Sequence, residues 1–518
     1  MMKDMVARPD RKNEFYLCTV FFISAFIIRF IIARGQIIAP DGVFYIKIAK
    51  DIASGNLQGI SEYGFFNLYP FLIVLFQTVF GDWELSGKMV SIIFGSLTII
   101  PLYLLVRGLF NKNVAIVSSL LYMVHPRFVE YSADVLREPV FWFFSLAALW
   151  LAWEGIVHKK ILLFVLSSLA TGFAMFTRIE GALVVAIVVL WIIWFIFNDK
   201  ENKKKGLIYA CIFLFSLPIL ASPCLIVLKN KLNRWEMGLS IDKIPQLLSS
   251  TDQPLKLESE FLGQPSVKLH AFFDLSGRHR YVTFFMEVLY KFFKSFNVVL
   301  FLLFLYGIYK RRFIPYSKSD TYVLIWFLVA FAASFLYVSK TYYLSTRHGL
   351  LMVLPALAWA GIGFFEARER IRKWLDAKKL FQRYARFDTI FLFVLILAIL
   401  APQTVSSYKT DKVELRKAGI ALKRDGFSKT YFLIQPSLNR IAFYADSDIV
   451  ILPKEVDDSK ITEFINKYKG ALLVIDERTI DGYAPGIREI ISRNRFEQLI
   501  LPEMNQYQEY SFSIYKIN

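Results

Sequence analysis

Eight polar side chains carry the chemical potential of this chain: Asp41, Asp134, Arg137, Glu138, Arg178, Glu180, Arg347 and His348 each stand at the end of a long apolar run. If the runs bundle, the eight meet at one level. Together they supply a carboxylate to accept a proton from a hydroxyl and cations to stabilise a departing phosphate, with apolar walls around them. Asp41, in Ala39-Pro40-Asp41-Gly42-Val43-Phe44-Tyr45-Ile46, is the candidate base. An acid within a few residues of an apolar run, on the side away from the basic N-terminus, is poorly explained by anchoring and is costly near a membrane without a role.

Each residue also has a plainer reading. Asp-Gly is a common turn dipeptide. Glu138 before Pro139 suits a helix N-terminus. Arg178 and Glu180 read equally as an interfacial ion pair with a snorkelling arginine, Asp134 as loop surface and His125 as structural. Arg347 at an outer end runs against the positive-inside trend, which favours a phosphate role. His348 is adjacent to it but points elsewhere on a helix.

The elements that must position these residues are membrane spans. The 518 residues are 56% hydrophobic and 17% aromatic, with 50 Phe and a mean hydropathy of +0.44, well above the soluble average. The formal charge of +18 could suggest nucleic acid, but Lys and Arg fall mainly in short segments between apolar runs, so orientation in a bilayer accounts for most of it. Cys18, Cys211 and Cys224 all lie in apolar runs and imply neither a disulfide framework nor a metal site.

About eleven spans are expected, near 14–33, 84–107, 114–131, 138–157, 161–176, 181–197, 207–228, 292–309, 322–338, 349–365 and 390–401. The first reads as an uncleaved signal anchor with a cytoplasmic N-terminus, since Lys3, Arg8, Arg11 and Lys12 precede it. An odd span count places the C-terminus outside. Residues 1–405 thus form a membrane domain with a first outer loop at 34–83, expected to hold helices along the membrane surface, and a long outer loop at 229–290. A basic segment, 368–386, reads as a helix on the inner leaflet. Residues 406–518 read as a small extracytoplasmic α/β domain, with strands near 431–435, 449–452, 471–475 and 510–515 and helices near 458–468 and 485–494.

Asp41 with Tyr45-x-x-Ile48-Ala49, Ser54-Gly55, Tyr69-Pro70 and Phe80-Gly81 resembles the first outer loop of the GT-C glycosyltransferases of the protein O-mannosyltransferase and lipid A aminoarabinose transferase type. The resemblance runs on through Tyr131-Ser132, Leu136-Arg137-Glu138-Pro139, Thr177-Arg178-x-Glu180-Gly181 and Arg347-x3-Leu351-x3-Pro355, over about residues 12–365. It implies inverting transfer of a sugar from a polyprenyl-phosphate donor of the C55 type to a lipid, glycan or protein acceptor on the extracytoplasmic face of a bacterial-type inner membrane. Asp41 matches the family's base and Glu138 its second acid. A divalent cation (Mg or Mn), where one is used, would fall to these two. Tyr45, Tyr69, Arg178, Glu180, Arg347 and His348 are the candidates for binding the lipid phosphate and sugar.

The chain departs from the family at two points. Many relatives carry two adjacent acids where it has Asp41-Gly42, and a basic residue before Pro-Pro where it reads Asn67-Leu68-Tyr69-Pro70. The second departure shifts the phosphate contact to Arg178, Arg347 and His348. Transfer of an oligosaccharide from a lipid pyrophosphate is a rival within the class, although no second acidic motif appears in the later loops. A transporter or flippase is the rival outside it, and would be expected to show paired repeats and broken mid-membrane helices. A scaffold whose soluble domain does the work is a further alternative, one that activity surviving truncation after Ala401 would oppose.

Overall fold

The computed structural model describes residues 11–56, 67–199, 202–232, 279–311, 317–377, 388–406, 413–453, 463–465, 467–484, 486–500 and 512–517. Helices stand at all eleven positions where spans are expected. Seven of them are long and apolar enough to cross a membrane: Lys12–Ala33, Trp83–Leu109, Glu138–His158, Ile179–Asn198, Lys203–Ser222, Lys318–Thr341 and Thr346–Trp374. The chain is a multi-pass membrane protein. On the first helix Val20, Ile23, Ile27 and Ile31 are exposed at helical spacing while Phe21, Ala25 and Ile32 are buried, which is the pattern of a helix with one lipid-facing side.

Several expected boundaries move. The span expected at 114–131 is two helices, Lys112–Val124 and Pro126–Ser132, because Pro126 cannot continue the first and instead opens the second. The one expected at 292–309 is also two, Arg280–Phe296 and Val298–Arg311, bent by 110° at Asn297. Asn297 takes a positive φ of 74° and its side chain accepts from the Val299 N–H at 3.2 Å, ending one helix and starting the next. The expected outer loop at 229–290 shrinks at both ends, since Lys203–Leu232 and Arg280–Phe296 are helical; its centre, 233–278, lies outside the described residues. The segment expected along the inner leaflet begins instead as a continuation of the Thr346–Ala377 helix, and 378–387 is likewise outside the described residues.

Close backbone approach fixes the later helices. A Cβ on Gly307 would lie 2.0 Å from the Trp359 carbonyl oxygen, and one on Gly363 1.9 Å from that of Leu303, so Val298–Arg311 and Thr346–Ala377 touch through glycine faces. At one end of the bundle Glu14 pairs with Arg107, and Arg311 lies over the Phe110 ring. The opposite end carries Asp41, Glu138, Arg178 and Arg347.

Beyond Ser406 a five-stranded sheet in the order β2-β1-β3-β5-β4 uses β1 (Tyr431–Ile434), β2 (Asp448–Ile451), β3 (Leu472–Asp476), β4 (Glu497–Gln498) and β5 (Phe512–Lys516). Strands β2, β1 and β3 are parallel and β5 is antiparallel to β3. The helix expected near 485–494 is Ile487–Arg493, while most of the one expected at 458–468 lies outside the described residues. Two helices, Val413–Arg424 and Asn439–Tyr444, and the two-residue β4 are additions to the sequence reading.

Candidate active site

Four helix ends separated widely in sequence converge. Pro40 opens the Pro40–Ala53 helix, where its missing N–H costs nothing, and so Asp41 sits in the first turn, at the positive end of the helix dipole. Glu138 and Pro139 open the Glu138–His158 helix. Arg178 lies in extended conformation between Ile161–Thr177 and the short 3-10 turn Ile179–Gly181. Arg347 and His348 are in the first turn of Thr346–Ala377.

Their side chains form an alternating series of carboxylates and guanidinium groups that ends on the His348 imidazole. Arg347 Nη1 donates to Asp41 Oδ2 and, at 3.4 Å, to Glu138 Oε1. Arg178 Nη1 donates to the same Glu138 oxygen, while its Nε and Nη2 fork the Glu180 carboxylate, with Nε to Oε2 at 3.2 Å. Glu180 Oε1 lies 3.7 Å from His348 Nε2, and the His348 ring stacks on Tyr337 with centroids 4.4 Å apart. The order is Asp41, Arg347, Glu138, Arg178, Glu180, His348. Each guanidinium lies between two carboxylates, which is what permits this much charge beside apolar spans.

Exposure falls from Asp41 through Arg347 to Glu138. The Asp41 side chain is 43% exposed and Arg347 28%, whereas Glu138 is 3% exposed. Asp41 is therefore the carboxylate an incoming molecule can reach. Glu138 is enclosed, and its Oε2 is buried without a partner among the described residues. Burial opposes the charge on Arg178, but Glu180 and Glu138 outweigh it and hold the guanidinium ionised. With three nitrogens committed to two carboxylates, Arg178 is more a post for Glu138 than a free cation.

Aromatic rings back the cations: Tyr131 under Arg347 at 5.7 Å, Phe141 against Arg178 at 6.0 Å and Tyr45 against Arg137 at 5.8 Å. Burial raises the Tyr45 phenol, so it stays protonated beside Asp41 and Glu138. Tyr69 is different. It is fully buried, its hydroxyl is bonded to the Gly87 carbonyl at 2.9 Å and Ser91 Oγ at 2.8 Å, and its ring meets Tyr45 edge-on at 5.3 Å. It supports Tyr45 and presents no hydroxyl to a substrate.

Asp134, read from sequence as loop surface, is 8% exposed, and its Oδ1 accepts from the Ala39 N–H at 2.9 Å, beside the start of the Asp41 helix. A polar residue in a short loop gave no sign that the loop folds beneath residue 39. Gly42 explains the first departure from the family: a Cβ there would lie 2.8 Å from both the Cβ and the carbonyl oxygen of Val135, so a second acid has no room. Asn67, at the second departure, caps Leu68–Phe80 by accepting from the Tyr69 N–H at 3.0 Å.

The fold and a part of the sequence are similar to known proteins. Residues 67–226 match the family model of dolichyl-phosphate-mannose-protein mannosyltransferase. The fold is similar to that of ArnT from Cupriavidus metallidurans bound to undecaprenyl phosphate, at a TM-score of 0.61 and 13% identity over 96% of this chain and 97% of that one. It is also similar to the archaeal oligosaccharyltransferase AglB from Archaeoglobus fulgidus, in complex with an inhibitory peptide and a dolichol-phosphate, at a TM-score of 0.51 and 12% identity over 88% of this chain and 69% of that one. No curated protein matches the sequence in a direct comparison. The chain is thus an integral-membrane protein whose fold is that of ArnT and in which residues 67–226 match the mannosyltransferase family model.

Proposed function

We propose that this protein is an inverting glycosyltransferase that moves a sugar from a polyprenyl-phosphate donor to an acceptor hydroxyl on the extracytoplasmic face of the membrane. The observation that carries the reading is the pairing of accessible Asp41 with Arg347, itself tied to enclosed Glu138. The acceptor O–H loses its proton to Asp41 as its oxygen bonds to the sugar's anomeric carbon. The bond from that carbon to the phosphate oxygen breaks on the opposite face, and its electron pair stays on the phosphate. Arg347, partly exposed and already at the base, is the cation suited to the phosphate. Drawing Arg347 toward a bound phosphate also loosens its hold on Asp41, so donor binding frees the base. Glu138, fixed by Arg178, sets where Arg347 stands.

The donor class draws support from the relatives bound to undecaprenyl phosphate and dolichol-phosphate. The outward assignment draws support from the basic segments His158-Lys159-Lys160, Lys203-Lys204-Lys205 and Lys310-Arg311, which follow the opposite ends of the helices. A divalent cation does not fit the acids present. Asp41 and Glu138 both accept from Arg347, and among the described residues no three His, Cys, Asp or Glu side chains converge. No step is routed through a metal.

The test is sugar transfer in reconstituted membranes, offering a panel of polyprenyl-phosphate sugars to the wild type and to Asp41→Asn and reading acceptors by mass. Transfer by the wild type and its loss in the variant, with donor binding retained, is expected. Equal transfer by both would remove Asp41 from the mechanism.

A further inference from the structure

The backbone that delivers Asp41 is held by the C-terminal domain. Residues 36–39 form neither helix nor strand and Pro40 opens the next helix, and the backbone polar groups of four of these five residues are engaged from outside the segment. Gln36 O accepts from Lys88 Nζ at 2.6 Å, and Ala39 N–H donates to Asp134 at 2.9 Å. The other two contacts come from one short helix more than 390 residues away, Asn439–Tyr444. Asn439 Nδ2 donates to Pro40 O at 3.0 Å, and the Tyr444 hydroxyl accepts from Ile38 N–H at 3.3 Å.

That hydroxyl in turn donates to Glu84 Oε1 at 3.2 Å, and Glu84 pairs with Lys88 at 2.7 Å, returning to Gln36. The loop is therefore ringed by a closed set of bonds, half of it supplied by the soluble domain. Asn439 is fully buried, and Phe443, Tyr444 and Ile449 pack on the apolar cluster of Ile38, Val43, Ile46 and Tyr69. Burial, and then the neighbouring Glu84, raise the Tyr444 phenol and keep it a donor.

We propose that Asn439 and Tyr444 are positioning residues for the reaction: through Pro40 and Ile38 they set the register of the first turn that carries Asp41, and so couple the seating of the C-terminal domain to the base. This rests on Asp41 being the base. A proton acceptor must lie within hydrogen-bond reach of the acceptor hydroxyl, and a displacement of about 1 Å can cost on the order of 100-fold in rate. Pro40 is the lever, because its carbonyl precedes Asp41 by one peptide unit.

The test uses the full chain in nanodiscs, with Asn439→Ala and, as the gentler change, Tyr444→Phe, which keeps the ring and removes only the hydroxyl. Two readouts are taken: amide hydrogen exchange of peptides covering 36–53, and transfer kinetics with the donor. Exchange in 36–45 should accelerate in both variants while the remaining membrane helices keep wild-type protection. The kcat for transfer should fall about 10- to 100-fold with donor KM unchanged. Unchanged exchange in both variants would overturn the clamp. A fall in kcat accompanied by weaker donor binding and loss of protection across the bundle would make these residues structural supports and overturn the positioning role. If Asp41→Asn transfers sugar as well as the wild type, the functional reading fails instead; faster exchange in the clamp variants would then still stand as a mechanical link without a catalytic one, and the positioning role would be overturned.

Discussion

Arg178 is where a post for Glu138 and a ligand for the donor phosphate call for different kinetics, so Arg178→Lys separates them. The guanidinium commits Nε, Nη1 and Nη2 to Glu138 and Glu180, and its side chain is 10% exposed. A lysine offers a point charge without the fork, so it can serve one carboxylate well and the other poorly. At least one hydrogen bond to a charged, buried group is lost, worth about 1.5–3 kcal/mol. The total stays below the roughly 3–5 kcal/mol of an uncompensated buried charge, because the ammonium keeps a positive charge between Glu138 and Glu180. A loss of about 2 kcal/mol is therefore expected, measured as a lower midpoint of thermal unfolding in detergent. Glu138 loses an anchor on the oxygen it shares with Arg347, and kcat should fall on the order of tenfold, the factor for about 1.4 kcal/mol of barrier. Donor KM should hold, since Arg347 remains to meet the phosphate. A KM raised by about tenfold or more with an unchanged thermal midpoint would refute the post reading and assign Arg178 to the phosphate.

Two further substitutions test the packing that delivers the site. Gly42→Asp restores the acid pair of many relatives but drives a Cβ to 2.8 Å from Val135 and Ile38, so it should destabilise by about 1–3 kcal/mol and lower kcat by shifting the first turn; a gain in activity would sink the steric account. Gly307→Ala forces a Cβ to 2.0 Å from a backbone carbonyl that cannot step aside, whereas at Gly172 the nearest atom is the Leu217 side chain at 3.7 Å. The yield of folded, monodisperse protein should collapse for Gly307→Ala and hold for Gly172→Ala, where the exchange also gains about 0.5–1 kcal/mol of helix propensity.

The spans were legible because a run of apolar residues between basic turns has one use in a bilayer, and the candidate site was legible because charges at the ends of such runs need a reason. The failures are equally physical. The run from Phe292 to Tyr309 carries Lys294, Ser295 and Asn297 near its start and folds through a corner at Asn297, and nothing in the apolar content distinguishes an amide that caps the next helix from one that merely interrupts a span. Tyr69 is a candidate in the sequence because it lies with Tyr45 in the outer loop that resembles the family; only the packing of Leu68–Phe80 against Gly87 and Ser91 shows its hydroxyl taken. Asn439–Tyr444 is too short to carry a period, and its partners lie at the other end of the sequence.

The Asp41-Gly42 departure joins these cases. Read along the chain, the missing second acid is only a departure from many relatives. In the fold, the position after Asp41 faces Val135 in the same loop whose Asp134 holds Ala39, so the residue there is chosen by how tightly the 132–137 loop tucks under the helix. Composition supplies the charges and spacing puts each at a helix end, but which carboxylate is exposed and which is enclosed follows from the loop and the clamp. That difference is what favours Asp41 over Glu138 in the proposed role of base, and under that proposal the test of Asn439 bears on the chemistry as directly as a test of Asp41 itself.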